Sequence, residues 1–284
     1  MADIKSYSFS KIGIETLGAD AQETNWPVVY QIYDNFNMYV GETTNLKSRM
    51  QQHIKNNEKA TLNKFSVVFD SRFNKSAALD LESHLIQWFG GDGKFTMLNK
   101  NDGLVEHDYY YRSDYRKYFS NIWNQLLNLG VASSTIQDIE NSGLFKFSPY
   151  KLLKQEQLLV VDAVLTDLVE ALTYEQKTVS VIGGDEGTGK SIVIMYLIKL
   201  IRDIQVCDVD SSDDNIDNSV FEKYFKNPIN AYFKGGKLAM VVPNTSLKGS
   251  IEKVLKGVSN LKNGVDLLSP IEFGSNDIEY DITF

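Results

Sequence analysis

Apolar and polar positions trade places at short range in the first third of the chain. The run Val28-Val29-Tyr30-Gln31-Ile32-Tyr33 gives way to Asp34-Asn35-Phe36-Asn37 and resumes as Met38-Tyr39-Val40-Gly41. Two β-prone runs around turn-forming residues predict a hairpin. Thr43, Thr44 and Asn45 are suitable helix caps, and residues 46–56 hold no Gly or Pro, so a helix is predicted there. It would set Arg49 and His53 one turn apart on one face. Residues 65–69 read as a third strand, and residues 76–89 as a second helix stopped by Gly90-Gly91.

Further on, aromatic and aliphatic residues recur at helical spacing from Asp108 to Gly130, a stripe that suits packing better than base stacking. Residues 155–172 form another amphipathic pattern. The β-prone residues 178–182 feed a glycine-rich loop, and an almost wholly apolar helix is predicted over 191–201. Residues 237–242 read as a buried strand, followed by a helix to Val258. Strand, loop, helix, loop, strand is an α/β order with parallel strands. The chain divides accordingly into an extension (1–24), a first domain (25–105), a helical connector (106–147) and a second domain (148–284).

With 284 residues and 43% hydrophobic content, the chain can bury two cores. It holds no run of eighteen apolar residues, and Met1-Ala2-Asp3-Ile4-Lys5 lacks the basic-then-apolar order of a secretory signal, so a cytoplasmic protein without a membrane partner is expected. Cys207, the single cysteine, can form no internal disulfide. The net charge of -8 argues against broad adhesion to nucleic acid. Charge is uneven, however. Lys47, Arg49, Lys55, Lys59, Lys64, Arg72 and Lys75 stand against only Glu58 and Asp70 in one stretch, a local footprint for phosphates or simply a solvated basic face. The aspartates from Asp203 to Asn218 read as a solvated loop.

Cutting a phosphodiester requires a nucleophilic water, a sink for developing charge and usually a divalent metal. Tyr30 and Tyr39, on adjacent hairpin strands, can hold a water, and Gly41 leaves room beside them. Arg49 offers a permanently charged fork for phosphate oxygens, with His53 placed to share charge or move a proton. Glu82 falls among Ala78, Leu85, Ile86 and Phe89, where a carboxylate is costly unless paired or bound to a metal.

Val28-Val29-Tyr30, Tyr39-Val40-Gly41, Arg49, His53, Glu82 and Asn99 resemble, in order and spacing, the GIY-YIG endonuclease superfamily over about residues 25–105. The first triplet departs from it by lacking glycine. The resemblance implies a small α/β sandwich with a three-stranded antiparallel sheet. It also implies one Mg²⁺ or Mn²⁺ on Glu82, Tyr30 as base or water-positioner, Tyr39, Arg49 and His53 at the phosphate, and Asn99 as organiser of the site. DNA is the implied substrate, with RNA as an alternative.

Gly184-Asp185-Glu186-Gly187-Thr188-Gly189-Lys190-Ser191 fits the phosphate-binding loop pattern, in which backbone N–H groups surround phosphates, Lys190 reaches them and Ser191 helps hold Mg²⁺. With Gln157 and Val242-Pro243-Asn244-Thr245-Ser246-Leu247-Lys248, it resembles the start of a Schlafen-like superfamily-one helicase. That resemblance implies ATP as ligand, adenine recognition by Gln157, and Thr245 to Lys248 at the nucleic acid strand. The acidic motif expected after residues 278–284 is absent, so half a motor is expected, its other half missing or on a partner. The leading expectation is a metal-dependent endonuclease fused to this partial parallel-sheet ATPase. A noncatalytic nucleic-acid or nucleotide sensor is the alternative, and a small-molecule kinase would leave the first hundred residues unexplained.

Overall fold

The computed structural model describes residues 2–18, 21–99, 108–207 and 221–284. They fall into two compact units, with the chain passing from the first to the second between Phe145 and Lys146.

The first unit begins with β1 (Asp3–Ser8), α1 (Lys11–Glu15) and α2 (Ala21–Thr24), then the hairpin β2 (Val28–Tyr33) and β3 (Asn37–Thr43). α3 (Leu46–His53), β4 (Lys64–Phe69), α4 (Lys75–Asp92) and β5 (Thr96–Met97) follow. The sheet has five strands in the order β1-β4-β2-β3-β5, antiparallel except for the β3·β5 pair. Three strands were expected, and the extra two lie at the edges. β1 comes from the segment read as an extension. Its side chains are mostly exposed or half-buried, so the alternation that betrays a strand is weak. It is held along the full length of β4, with Tyr7 stacked on Phe65 at 4.9 Å.

One face of the sheet carries Val28, Tyr30, Ile32, Tyr39, Phe65 and Val67, which share a core with Leu46 and Met50 of α3. Successive strand residues point to opposite faces. α4 lies against β2 and β3, and contributes Ala77, Ala78, Leu81, Leu85 and Phe89 to the buried set. This helix runs through the Gly90-Gly91 pair expected to stop it and ends instead at Gly93, which is left-handed at φ 70°. Gly91 is needed for closeness, because a Cβ there would meet Ile139 at 2.6 Å and Phe145 at 2.8 Å.

α5 (Arg112–Asn128), α6 (Ile136–Asn141) and α7 (Gly143–Lys146) occupy the segment expected as a connector. α5 packs on α4 through Trp123, 4.8 Å from the Phe89 ring, and Phe119, 5.1 Å from His84. The aromatic stripe is thus packing at Phe119 and Trp123, while Tyr110 and Tyr111 are exposed. Asp80 of α4 accepts from Tyr109 at 2.9 Å and from Arg116 at 3.3 Å. His84 bonds the Asp80 carbonyl at 2.8 Å, a structural place for that imidazole. His107 lies outside the described residues.

In the second unit, α8 (Gln155–Thr173) and α9 (Lys190–Val206) share a core that includes Val161, Leu165, Leu197, Ile201 and Phe225. α10 (Glu222–Phe225), α11 (Ile229–Phe233), β6 (Leu238–Val241), α12 (Thr245–Lys256), β7 (Asp266–Leu268), α13 (Pro270–Gly274) and β8 (Ile282–Thr283) complete it. The sheet is parallel, in the order β7-β6-β8. The strand predicted over 178–182 is not formed. Val179 and Val181 are 89% and 88% exposed, because β propensity makes no strand without a neighbouring ladder to satisfy the backbone. Asp203 also departs from expectation. It is fully buried in α9 and takes the Lys199 ammonium at 2.5 Å, while most of the acidic run after it lies outside the described residues. Among the described residues no helix is long and apolar enough to cross a membrane.

Candidate active site

Tyr30 projects from the middle of β2 and is fully buried. Opposite it in the register stands Gly41 of β3. A Cβ at position 41 would overlap the Tyr30 hydroxyl, so glycine is the residue that lets this ring lie across the neighbouring strand.

Two α3 side chains meet the same hydroxyl. Nε2 of His53 lies 2.7 Å from it, and Nε–H of Arg49 donates to it at 3.3 Å. The spacing of four residues along α3 puts both groups on the face turned to the sheet. Arg49 also donates through Nη1 to Gln52 at 3.0 Å, and both Arg49 and His53 are buried. Asn45 caps the helix by accepting from Ser48 N–H at 3.0 Å, which fixes where its first turn begins.

Burial pushes the Tyr30 phenol well above its ordinary value, the neighbouring Arg49 charge draws it back in part, and the charges of Glu82 and Glu42 raise it again. Tyr30 is therefore protonated across the neutral range. Arg49 donates to the Tyr30 oxygen, and in the tautomer that carries the imidazole proton on Nδ1 the phenol donates to His53 Nε2.

Tyr39 sits 6.4 Å from Tyr30 between ring centroids and 5.1 Å from His53, edge to face. The backbone beside it is held by Asn99. The Asn99 amide donates to the Val40 carbonyl at 2.8 Å and accepts from the Val40 N–H at 3.0 Å. A single side chain thus continues the parallel ladder past β5 and satisfies both backbone groups between Tyr39 and Gly41.

Glu82, on α4, is buried, with its charge felt at Tyr30. Among the described residues no cluster of three or more His, Cys, Asp and Glu side chains gathers into a metal cage. The buried Glu82 carboxylate fits Mg²⁺ or Mn²⁺ all the same, since a hard cation of this kind takes one or two carboxylates and completes its shell with waters and substrate phosphate oxygens.

Two further neighbours are Glu42, which the sequence did not mark, and Lys59, which it marked only as one member of the basic stretch. The Lys59 ammonium is buried 3.6 Å from the centroid of the Tyr39 ring, and Glu42, an ion-pair partner of Lys75, follows Gly41 directly. Lys59 lies in a polar stretch, Asn56-Asn57-Glu58-Lys59, with no periodicity to reveal its burial. The basic stretch is accordingly no single solvated face. Lys47 pairs with Glu15 at 3.3 Å, Arg72 pairs with Asp70, and Arg49 and Lys59 are buried.

In the second unit the glycine loop runs directly into α9, with Lys190 as its first residue. Gly187 and Gly189 have φ of 79° and 87°. Lys190 Nζ donates to the carbonyls of Gly184 at 2.6 Å and Asp185 at 2.9 Å, and Gln157 donates to the Thr188 carbonyl at 3.0 Å. Thr188 Oγ1 closes the turn on the Asp185 carbonyl at 2.8 Å. Ser191 follows Lys190 in the first turn of the helix. Gln157, Gly184, Thr188 and Lys190 are thus linked, whereas the strand expected to present the loop is absent.

Residues 27–94 match the family model of the GIY-YIG catalytic domain. The match spans the hairpin, α3, β4 and α4, and takes in Tyr30, Tyr39, Gly41, Arg49, His53 and Glu82. No curated protein and no solved structure matches the chain.

Proposed function

We propose that the first unit hydrolyses phosphodiester bonds of DNA, with Mg²⁺ or Mn²⁺ held by Glu82, and that the second unit binds ATP through residues 184–191 as part of a helicase-like module. The catalytic domain match over residues 27–94 supports the nuclease reading. The observation that carries it is the Tyr30 hydroxyl, gripped by Arg49 Nε–H and His53 Nε2 inside the sheet.

That arrangement supports a proton relay. A water positioned at the Tyr30 oxygen bonds to phosphorus as the P–O bond to the leaving nucleotide oxygen breaks, and that oxygen departs taking a proton from solvent. The attacking water gives its proton to the Tyr30 oxygen while the phenolic proton passes to His53 Nε2. Tyr30 ends neutral and His53 ends as imidazolium, so the proton is accounted for at each step. Arg49, permanently charged, stabilises the oxygen during the exchange and faces developing negative charge on the phosphate. A divalent ion on Glu82 would supply further charge neutralisation at the phosphate oxygens. Tyr39, locked edge-on to His53, keeps the imidazole aligned.

The glycine loop supports the nucleotide reading through its two positive-φ glycines and through Lys190, whose ammonium rests on loop carbonyls and can turn to phosphate oxygens. Gln157, tied to the Thr188 carbonyl, is positioned to sense whether the loop is filled.

The test is incubation of the full chain with supercoiled plasmid and Mg²⁺ or Mn²⁺. Nicked or linear product that disappears with EDTA is expected. An intact plasmid in both metals, with folding verified by circular dichroism, overturns the nuclease reading in favour of a noncatalytic module.

A further inference from the structure

The positively charged wall of the site has a member outside the motif residues. Lys59 lies in the turn after α3 and is 3% exposed. Its backbone N–H donates to the Asn56 side chain at 3.2 Å, which fixes where the residue leaves the turn. Its ammonium lies 3.6 Å from the centroid of the Tyr39 ring, close enough for a strong interaction with the π face. The same ring meets His53 at 5.1 Å, and His53 meets the Tyr30 hydroxyl at 2.7 Å.

We infer that Lys59 is a positioning residue for phosphodiester cleavage, acting through Tyr39. Its charge clamps the Tyr39 ring, which in turn sets the plane of the His53 imidazole against Tyr30. A buried ammonium costs free energy, and an apolar residue would fill the same space without that cost. Its place over Tyr39 gives the charge a use. It also adds a second full positive charge, besides Arg49, to the surroundings of the reacting phosphate, where low polarisability strengthens its effect. The inference rests on the nuclease reading above, and its failure can be told apart from the failure of that reading.

Three variants in the full chain, Lys59→Met, Lys59→Gln and Lys59→Arg, separate charge from packing. Plasmid cleavage in Mg²⁺ is measured as kcat and KM, with the thermal midpoint recorded beside them. Lys59→Met and Lys59→Gln are expected to lower kcat at least about tenfold with KM changed less than about threefold, in keeping with a loss felt at the transition state. Lys59→Arg, which keeps a cation able to stack on the ring, is expected to retain at least about a third of wild-type kcat. If Lys59→Met does not fold, Lys59→Gln decides. Wild-type cleavage with Met or Gln variants within twofold of it overturns the role of Lys59 alone, as does an Arg variant no better than the Met variant. A wild-type chain that does not cleave overturns both readings together.

Discussion

The Tyr30 hydroxyl and Nε2 of His53 stand 2.7 Å apart in a fully buried pair that joins β2 to the last turn of α3. Tyr30 is fully buried and His53 nearly so, and burial keeps the phenol protonated at neutral pH. The consequence is a division of labour in which the tyrosine oxygen can take a proton only as it passes its own to the imidazole.

Tyr30→Phe and His53→Ala are each expected to lower kcat for DNA cleavage by about 10²–10⁴, the usual worth of a positioned acid or base. Because the two act as one relay, the double variant should be little worse than the poorer single variant. Single-turnover cleavage assays of all three check this, and strictly multiplicative losses would separate the roles of the two residues.

Gly41→Ala should disturb the site from the opposite strand. The added methyl must displace the Tyr30 hydroxyl, the tip of a ring packed on all sides. Overpacking of this kind costs about 1–3 kcal/mol, and the displaced hydroxyl should lower kcat at least tenfold. Denaturant unfolding and cleavage measured on one preparation test both effects, with an unchanged kcat speaking against the close approach.

Much of the site was legible in the sequence for physical reasons that are local. Tyr30, Gly41, Arg49 and His53 belong to a hairpin and the helix directly after it, so turn chemistry, caps and a four-residue spacing already bring them near one another. Glu82 stood out because a carboxylate interrupts an apolar helix face. The edge strand β1 was not legible, since Asp3 to Ser8 is an edge strand with little apolar alternation. Gly90-Gly91 misled because a glycine required for helix-to-helix closeness looks in sequence like one that ends a helix. The residues 178–182 misled in the opposite sense, since strand propensity says nothing about whether a partner strand is present. Lys59 was visible only as one member of the basic stretch, because tertiary structure alone brings it over Tyr39.

Acid should loosen the first unit in a predictable window. Burial works against ionisation of Asp80, but hydrogen bonds from His84 and Arg116 outweigh it and hold the carboxyl down at about 2. A depressed carboxyl contributes stability above the unfolded value near 4, and that contribution is lost as pH falls from about 4 through about 2, amounting to about 2 kcal/mol. Urea unfolding followed between pH 2 and 6 should show this slope in the wild type and a shallower one in Asp80→Asn. Equal slopes would remove Asp80 from the account of acid stability.

The nucleotide reading makes its own demand on Lys190. ATP with Mg²⁺ at about a hundred times Kd should stabilise the wild-type chain by roughly 2.7 kcal/mol, seen as a higher thermal midpoint. Lys190→Ala should abolish that shift while leaving DNA cleavage without ATP unchanged. A wild-type midpoint insensitive to ATP, or a variant that responds equally, would contradict nucleotide binding at residues 184–191.

The most direct test of the central claim is plasmid cleavage by Glu82→Ala beside the wild type in Mg²⁺ and in Mn²⁺, with matched circular dichroism spectra. Nicking and linearisation by the wild type are expected, with a loss of at least about 10³-fold in the variant in both metals, as befits removal of the carboxylate proposed to hold the ion. Wild-type rates in Glu82→Ala would place the cleavage chemistry somewhere other than the site of Tyr30, Arg49, His53 and Glu82.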